Sequence, residues 1–153
     1  NAEGALRLAY DRGCLEIEMS PLPRHEGPKR LLEIVVDTIL YERGIDYAAL
    51  GSITLVHEAS RQGVEPDSCF YIQSFAALPP DRETIDPAAQ VPDLAVEVDV
   101  TSGSLEKLPI YARLGVPEVW RWRDGLLTIF VAASDGGYRQ SAHSRAIPDL
   151  EAD

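Results

Sequence analysis

The spacing of apolar and polar positions changes several times along the chain, and each change marks an element. Leu94, Val96 and Val98 alternate with Ala95, Glu97 and Asp99. Successive side chains of a strand point to opposite faces, so the apolar three bury together and the two carboxylates share the other face. Residues 94–100 therefore read as a strand. Over residues 26–41 the period is helical: Leu32, Val35, Val36, Ile39 and Leu40 recur at three- and four-residue spacing. Pro28 suits the first turn and Gly44 the end. Glu33, Asp37 and Tyr41 make a second stripe on the same helix.

Shorter patterns fill in the rest. Residues 6–19 alternate loosely, as one or two short strands, and residues 20–25 form a turn or extended segment. Residues 52–57 read as a strand. Cys69, Phe70, Tyr71 and Ile72 form a β-favouring run just after Pro66 and Asp67. Residues 78–90 are a loop rich in Pro and Asp. Residues 101–104 are a turn in which Ser104 can cap a helix over 105–114, stopped by Gly115. Pro109 leaves Lys107 in the first turn of that helix or just before it. Residues 118–123, 126–132 and 138–143 read as a strand meander, with turns at Asp124-Gly125 and Asp135-Gly136-Gly137. The expected class is an α/β (α+β) layered fold in one domain over residues 1–153: a mixed or antiparallel sheet with helices.

Size and composition agree with that class. The chain has 153 residues, 45% hydrophobic and 25% charged, enough for one real core. No apolar run approaches the roughly 18 to 20 residues that span a bilayer. The first residues carry no basic stretch leading into an apolar one, so a cytoplasmic location is expected. Cys14 and Cys69 fit no zinc spacing and read as buried free thiols. A net charge of −11 opposes broad electrostatic affinity for nucleic acid. It leaves room for a carboxylate-rich site offset by bound metal and a local basic rim.

The candidate chemistry lies between Asp67 and Lys107. If residues 67–73 and 93–100 pair antiparallel, Asp67 approaches Glu97 and Asp99. Asp93 then lies at the far end, about 13 Å from Glu97 at roughly 3.3 Å per residue. Two or three of these carboxylates, with the Val98 carbonyl, offer the hard oxygen ligands that Mg²⁺ prefers. Such an ion lowers the pKa of a water and stabilises charge on a transferring phosphate. Lys107 is the nearby cation that can orient the water or neutralise the phosphate.

Three segments carry a resemblance to a known family: Pro66-Asp67-Ser68-Cys69-Phe70-Tyr71-Ile72, Pro92-Asp93-Leu94-Ala95-Val96-Glu97-Val98, and the run from Ser104 through Lys107 and Tyr111 to Trp120. With the upstream run from Met19 to Glu26 and Gly51-Ser52, they resemble the restriction endonuclease family expanded in cyanobacteria and other environmental bacteria, within the PD-(D/E)XK nuclease superfamily. The resemblance runs from about Cys14 to Val131. It implies a restriction-endonuclease-like core, a central mixed sheet flanked by helices. It also implies a metal-dependent endonuclease acting on nucleic acid, expected to be DNA, with Mg²⁺ or Mn²⁺. Asp67 matches the first acidic residue and Glu97 the acidic residue of the (D/E)XK strand, and both are the expected metal ligands. The superfamily has lysine two residues after that glutamate. Here Asp99 stands there, and Lys107 would be a migrated lysine. A nuclease fold that has lost its chemistry and serves as a binding or assembly module is the alternative.

Plainer roles stand beside these. Asp99 either joins the ligands or caps the turn after its strand. Glu33 is either an outer carboxylate of the site or a solvated helix edge. Tyr111, four residues after Lys107 on the same helix face, reads as a packing aromatic. His25 either contacts phosphate or helps cap the first helix, and His57 and His143 read as structural. Trp120 and Trp122 alternate with Arg121 and Arg123, either an aromatic and basic strand touching nucleic acid or core tryptophan with exposed arginine on the opposite face. A homodimer would supply two sites for two strands.

Overall fold

The computed structural model describes residues 6–19, 23–81, 84–100 and 106–151. Strands β1 (Leu6–Asp11) and β2 (Cys14–Met19) form a hairpin. Arg12 (φ 44°) and Gly13 (φ 107°) close it, and two positive φ values match the twist of the flanking strands. Helix α1 (Pro23–Glu42) follows. Then come β3 (Ala48–Ala49), β4 (Leu55–His57), β5 (Gln62–Val64), β6 (Ser68–Tyr71) and β7 (Leu94–Asp99). Helix α2 (Leu108–Leu114) leads to β8 (Glu118–Arg123), β9 (Leu126–Ala132) and β10 (Tyr138–Ser141).

The strands form two sheets. One has four strands in the order β2-β1-β5-β4, and the other has six in the order β10-β9-β8-β7-β6-β3. The larger sheet is mixed, because α2 carries the chain over from β7 to a parallel β8. Helix α1 buries Leu32, Val36 and Leu40 against Leu94, Val96, Val98 and Trp120 on one face of this sheet. Helix α2 buries Ile110, Tyr111 and Leu114 on the other face, against Ala95 and Val119, and also against Ala9, Leu55 and Val64 of the smaller sheet. The alternation along β7 thus separates two environments. Its aliphatic face meets α1, and its carboxylate-bearing face meets α2 and the second sheet.

Several boundaries differ from the pattern. Helix α1 starts at Pro23, three residues before the apolar period begins, because Arg24 and His25 are helical without being apolar. Pro28 therefore falls in the second turn. The described part of α2 starts at Leu108, with Pro109 in its first turn and Lys107 as its N-cap. The expected strand over 52–57 narrows to Leu55–His57. Strands β3 and β5 are two and three residues long. Segments so short show no period and owe their conformation to their neighbours. The expected turn over 101–104, with Leu105, lies outside the described residues, as do Ser20, Pro21 and Leu22. Both cysteines are free. Cys69 is buried, and burial pushes its thiol up to about 12. Cys14 is exposed, because β2 lies at the edge of its sheet.

Candidate active site

Pairing of β6 with β7 creates the site. Ser68 lies opposite Val96 in antiparallel register, and the Asp67 N–H donates to the Val96 carbonyl at 3.0 Å. Asp67 therefore stands beside Glu97 on the α2 side, and both are buried, at 1% and 4% exposure. One oxygen of Asp67, Oδ2, accepts the Val98 N–H at 2.6 Å. The other, Oδ1, forms an ion pair with Arg7 of β1 and lies 3.2 Å from His25 Nε2. No hydrogen bond is directed at this buried oxygen. Arg7 instead donates to His25 Nε2 at 2.9 Å, while His25 Nδ1 lies 3.0 Å from Glu26 Oε1. Burial lowers the His25 pKa and favours the neutral ring. A neutral ring that accepts at Nε2 donates its Nδ1–H to Glu26.

Glu97 is held from α2. Lys107 Nζ lies 3.0 Å from its Oε2, and the Tyr111 hydroxyl donates to its Oε1. Burial pushes the Glu97 carboxyl above its ordinary range, opposed by the Lys107 charge and by both hydrogen bonds. The Tyr111 hydroxyl is held protonated by burial, and by the Glu97 charge beside it. The lysine reaches Glu97 from a different element, ten residues on, because α2 crosses the same face of β7.

The remaining candidates are placed apart. Asp99 shares the face of Glu97 but pairs with Arg123 at 2.7 Å, across the parallel β7–β8 register. Glu33 pairs with Arg30 at 3.5 Å and borders a cavity of about 180 Å³ with Asp37, Ser68 and Phe70. That cavity lies on the α1 side of the sheet, opposite the Glu97 face. Asp93 accepts from the Ile72 N–H at 2.6 Å and from both the N–H and hydroxyl of Ser74, which fixes the end of β6. His57 accepts the Ser60 N–H at 3.1 Å in a tight turn, and His143 bridges to Glu151. Trp120 is buried at 1% exposure, whereas Arg121 and Arg123 turn to the Glu97 face.

The sequence profile of the Uma2 family, described as "Putative restriction endonuclease", matches residues 2–152. The chain belongs to this family. A crystal structure described as that of a putative nuclease belonging to DUF820, from Anabaena variabilis, aligns with a TM-score of 0.66. The two are 14% identical, and the alignment covers 94% of this chain and 85% of that one. The fold is accordingly the restriction-endonuclease-like mixed α/β fold. No curated protein matches the chain. Membership in a nuclease family implies a nucleic-acid substrate. No helix among the described residues is long and apolar enough to cross a membrane.

Restriction-endonuclease-like nucleases generally use divalent metals. Among the described residues no group of three or more His, Cys, Asp and Glu side chains is arranged to hold an ion. Two adjacent buried carboxylates are nevertheless enough for Mg²⁺, which takes one or two from protein and the rest from water and phosphate. Asp67 Oδ1, buried and met by the Arg7 guanidinium rather than by a well-formed hydrogen bond, is an oxygen such an ion could take in place of that pair. Two residues at this site escaped the sequence reading. Arg7 sits in a loosely alternating strand far from the acidic motif and gives no local signal. Tyr111 is buried as expected of a packing aromatic, and it also hydrogen-bonds Glu97. Its spacing four residues from Lys107 was the available clue.

Proposed function

We propose that this protein is a metal-dependent endonuclease that hydrolyses phosphodiester bonds of nucleic acid, with DNA as the substrate. The observation that carries the reading is Lys107 beside Glu97 at 3.0 Å, with Asp67 in the adjoining strand position. Asp67 and Glu97 would hold Mg²⁺, or Mn²⁺ in its place. A cation held there supplies an acidified water and neutralises charge on the transferring phosphate. Lys107 would serve as the superfamily lysine: its ammonium favours the ionised form of Glu97 against the effect of burial and can hydrogen-bond a water or a phosphate oxygen. Tyr111 fixes the other Glu97 oxygen, so the carboxylate presents one orientation. The low-dielectric surroundings of Glu97 strengthen each of these interactions. Arg7, Lys107, Arg121 and Arg123 all lie on the carboxylate-bearing side, each paired with an acidic group, so the cations there balance the carboxylates beside them.

Supercoiled plasmid and single-stranded DNA incubated with Mg²⁺ or Mn²⁺ test the reading, with Glu97→Ala beside the parent. Metal-dependent cutting should be lost in the variant, with weaker metal binding by calorimetry. Cutting that survives the substitution would falsify the assignment. Asp99 at the usual lysine position favours the other reading, a nuclease fold without chemistry. The absence of both cutting and metal binding in the parent would establish that one. A homodimer is proposed with the nuclease reading, since two sites cut two strands. Sedimentation showing only monomer at micromolar concentration removes it.

A further inference from the structure

Arg7 is 14% exposed and touches three groups that converge from different elements: Asp67 from the start of β6, and His25 and Glu26 from α1. Its strongest partner is Asp67 Oδ1, the carboxylate oxygen that the Val98 N–H leaves open. Oδ1 is the Asp67 oxygen that no backbone N–H engages, and a cation bound by Asp67 would use it. The guanidinium and the metal therefore compete for one atom, and their like charges repel. If Arg7 yields, its remaining contacts are a neutral imidazole and Glu26 Oε1 at 3.8 Å. Neither neutralises a largely buried cation as the ion pair with Asp67 does. A phosphate of the substrate would supply the charge lost with Asp67, and a guanidinium fork binds phosphate through two N–H donors.

We propose that Arg7 is a substrate-binding residue kept on Asp67 in the metal-free protein, released when metal takes Oδ1, and then engaged with a phosphate of the nucleic acid. The inference rests on the reading of Asp67 and Glu97 as metal ligands. It makes metal loading and substrate binding favour one another. Metal frees the arginine for phosphate, and phosphate holds the arginine away from the metal site.

Calorimetry with Mn²⁺ in the absence of nucleic acid, on the parent, Arg7→Gln, Arg7→Lys and Glu97→Ala, tests it together with steady-state cleavage. Arg7→Gln should bind Mn²⁺ about tenfold more tightly than the parent. The same variant should show a raised KM for DNA with a smaller change in kcat. Arg7→Lys keeps a cation at the position and should stay near the parent in Mn²⁺ affinity, which guards against a variant that fails to fold. Unchanged or weaker Mn²⁺ binding by folded Arg7→Gln would overturn competition for Oδ1. Tighter binding with an unchanged KM would overturn the phosphate role. A parent and Glu97→Ala that bind Mn²⁺ equally sink the metal-site reading and this inference together. Affinity that is lost on Glu97→Ala but unchanged on Arg7→Gln upholds the metal-site reading and overturns the competition alone.

Discussion

At the scale of single residues, the candidate site is two buried carboxylates, each held by a cation and a second group. Asp67 has Arg7 and the Val98 N–H, and Glu97 has Lys107 and Tyr111. The pH behaviour follows from Glu97. Its folded pKa is raised by burial, so the native protein keeps a proton that the unfolded chain releases. That contribution to stability is full below the ordinary glutamate range and is lost as pH rises through the raised value. Thermal melts of the metal-free protein should show the loss, and Glu97→Gln should flatten it. Metal needs the ionised carboxylate, so Mg²⁺ affinity should move the other way, weakening as pH falls and doing so above the ordinary glutamate range. Tyr111→Phe deletes a hydrogen bond to a buried charged acceptor and should cost about 2 kcal/mol in denaturant unfolding. It should also carry the loss of metal affinity to higher pH, because Glu97 then has one fewer donor. A variant with parental stability and an unmoved pH profile would mean that Tyr111 only packs.

At the scale of elements, legibility followed length. Helix α1 and strands β7, β8 and β9 are long enough to show a period and were readable as such. Strand β7 could be read down to which side chains share a face. The two-residue β3 and three-residue β5 could not, because they are set by pairing across the sheet. Glu118 is the clearest case of a residue that only packing explains. In the sequence it opens a strand; in the fold it is fully buried and takes donors from Trp120, Ser144, Arg145 and Ala146. The backbone and hydroxyl dipoles of residues 144–146 thereby fasten that segment to β8. Glu118→Ala leaves these donors without a partner and should destabilise by about 4 kcal/mol in chemical denaturation, with Glu118→Gln losing less. Similar losses for both variants would show that charge, rather than the number of bonds accepted, is what the donors require.

At the scale of the whole molecule, a −11 chain of a nuclease family needs its cations in the right place more than it needs many of them. Nucleic-acid binding should therefore rest on few phosphate contacts, and log K against log salt should fall with a slope near −0.9 for each one. Filter binding across a salt series measures this. A slope as steep as that of a broadly basic protein would contradict the account. The sequence by itself determined the period of the long elements and the apolar and carboxylate faces of β7, because these are properties of neighbours in the chain. It also placed Asp67 near Glu97 through the antiparallel pairing, which needs only two strands and a loop. The sequence named Lys107 as the candidate lysine; tertiary structure alone decided that it meets Glu97, that Asp99 is committed to Arg123, and that Arg7 reaches Asp67. Those contacts join different elements across the space between two sheets. Their geometry is set by how α2 and the smaller sheet pack on the larger one, which no local pattern records.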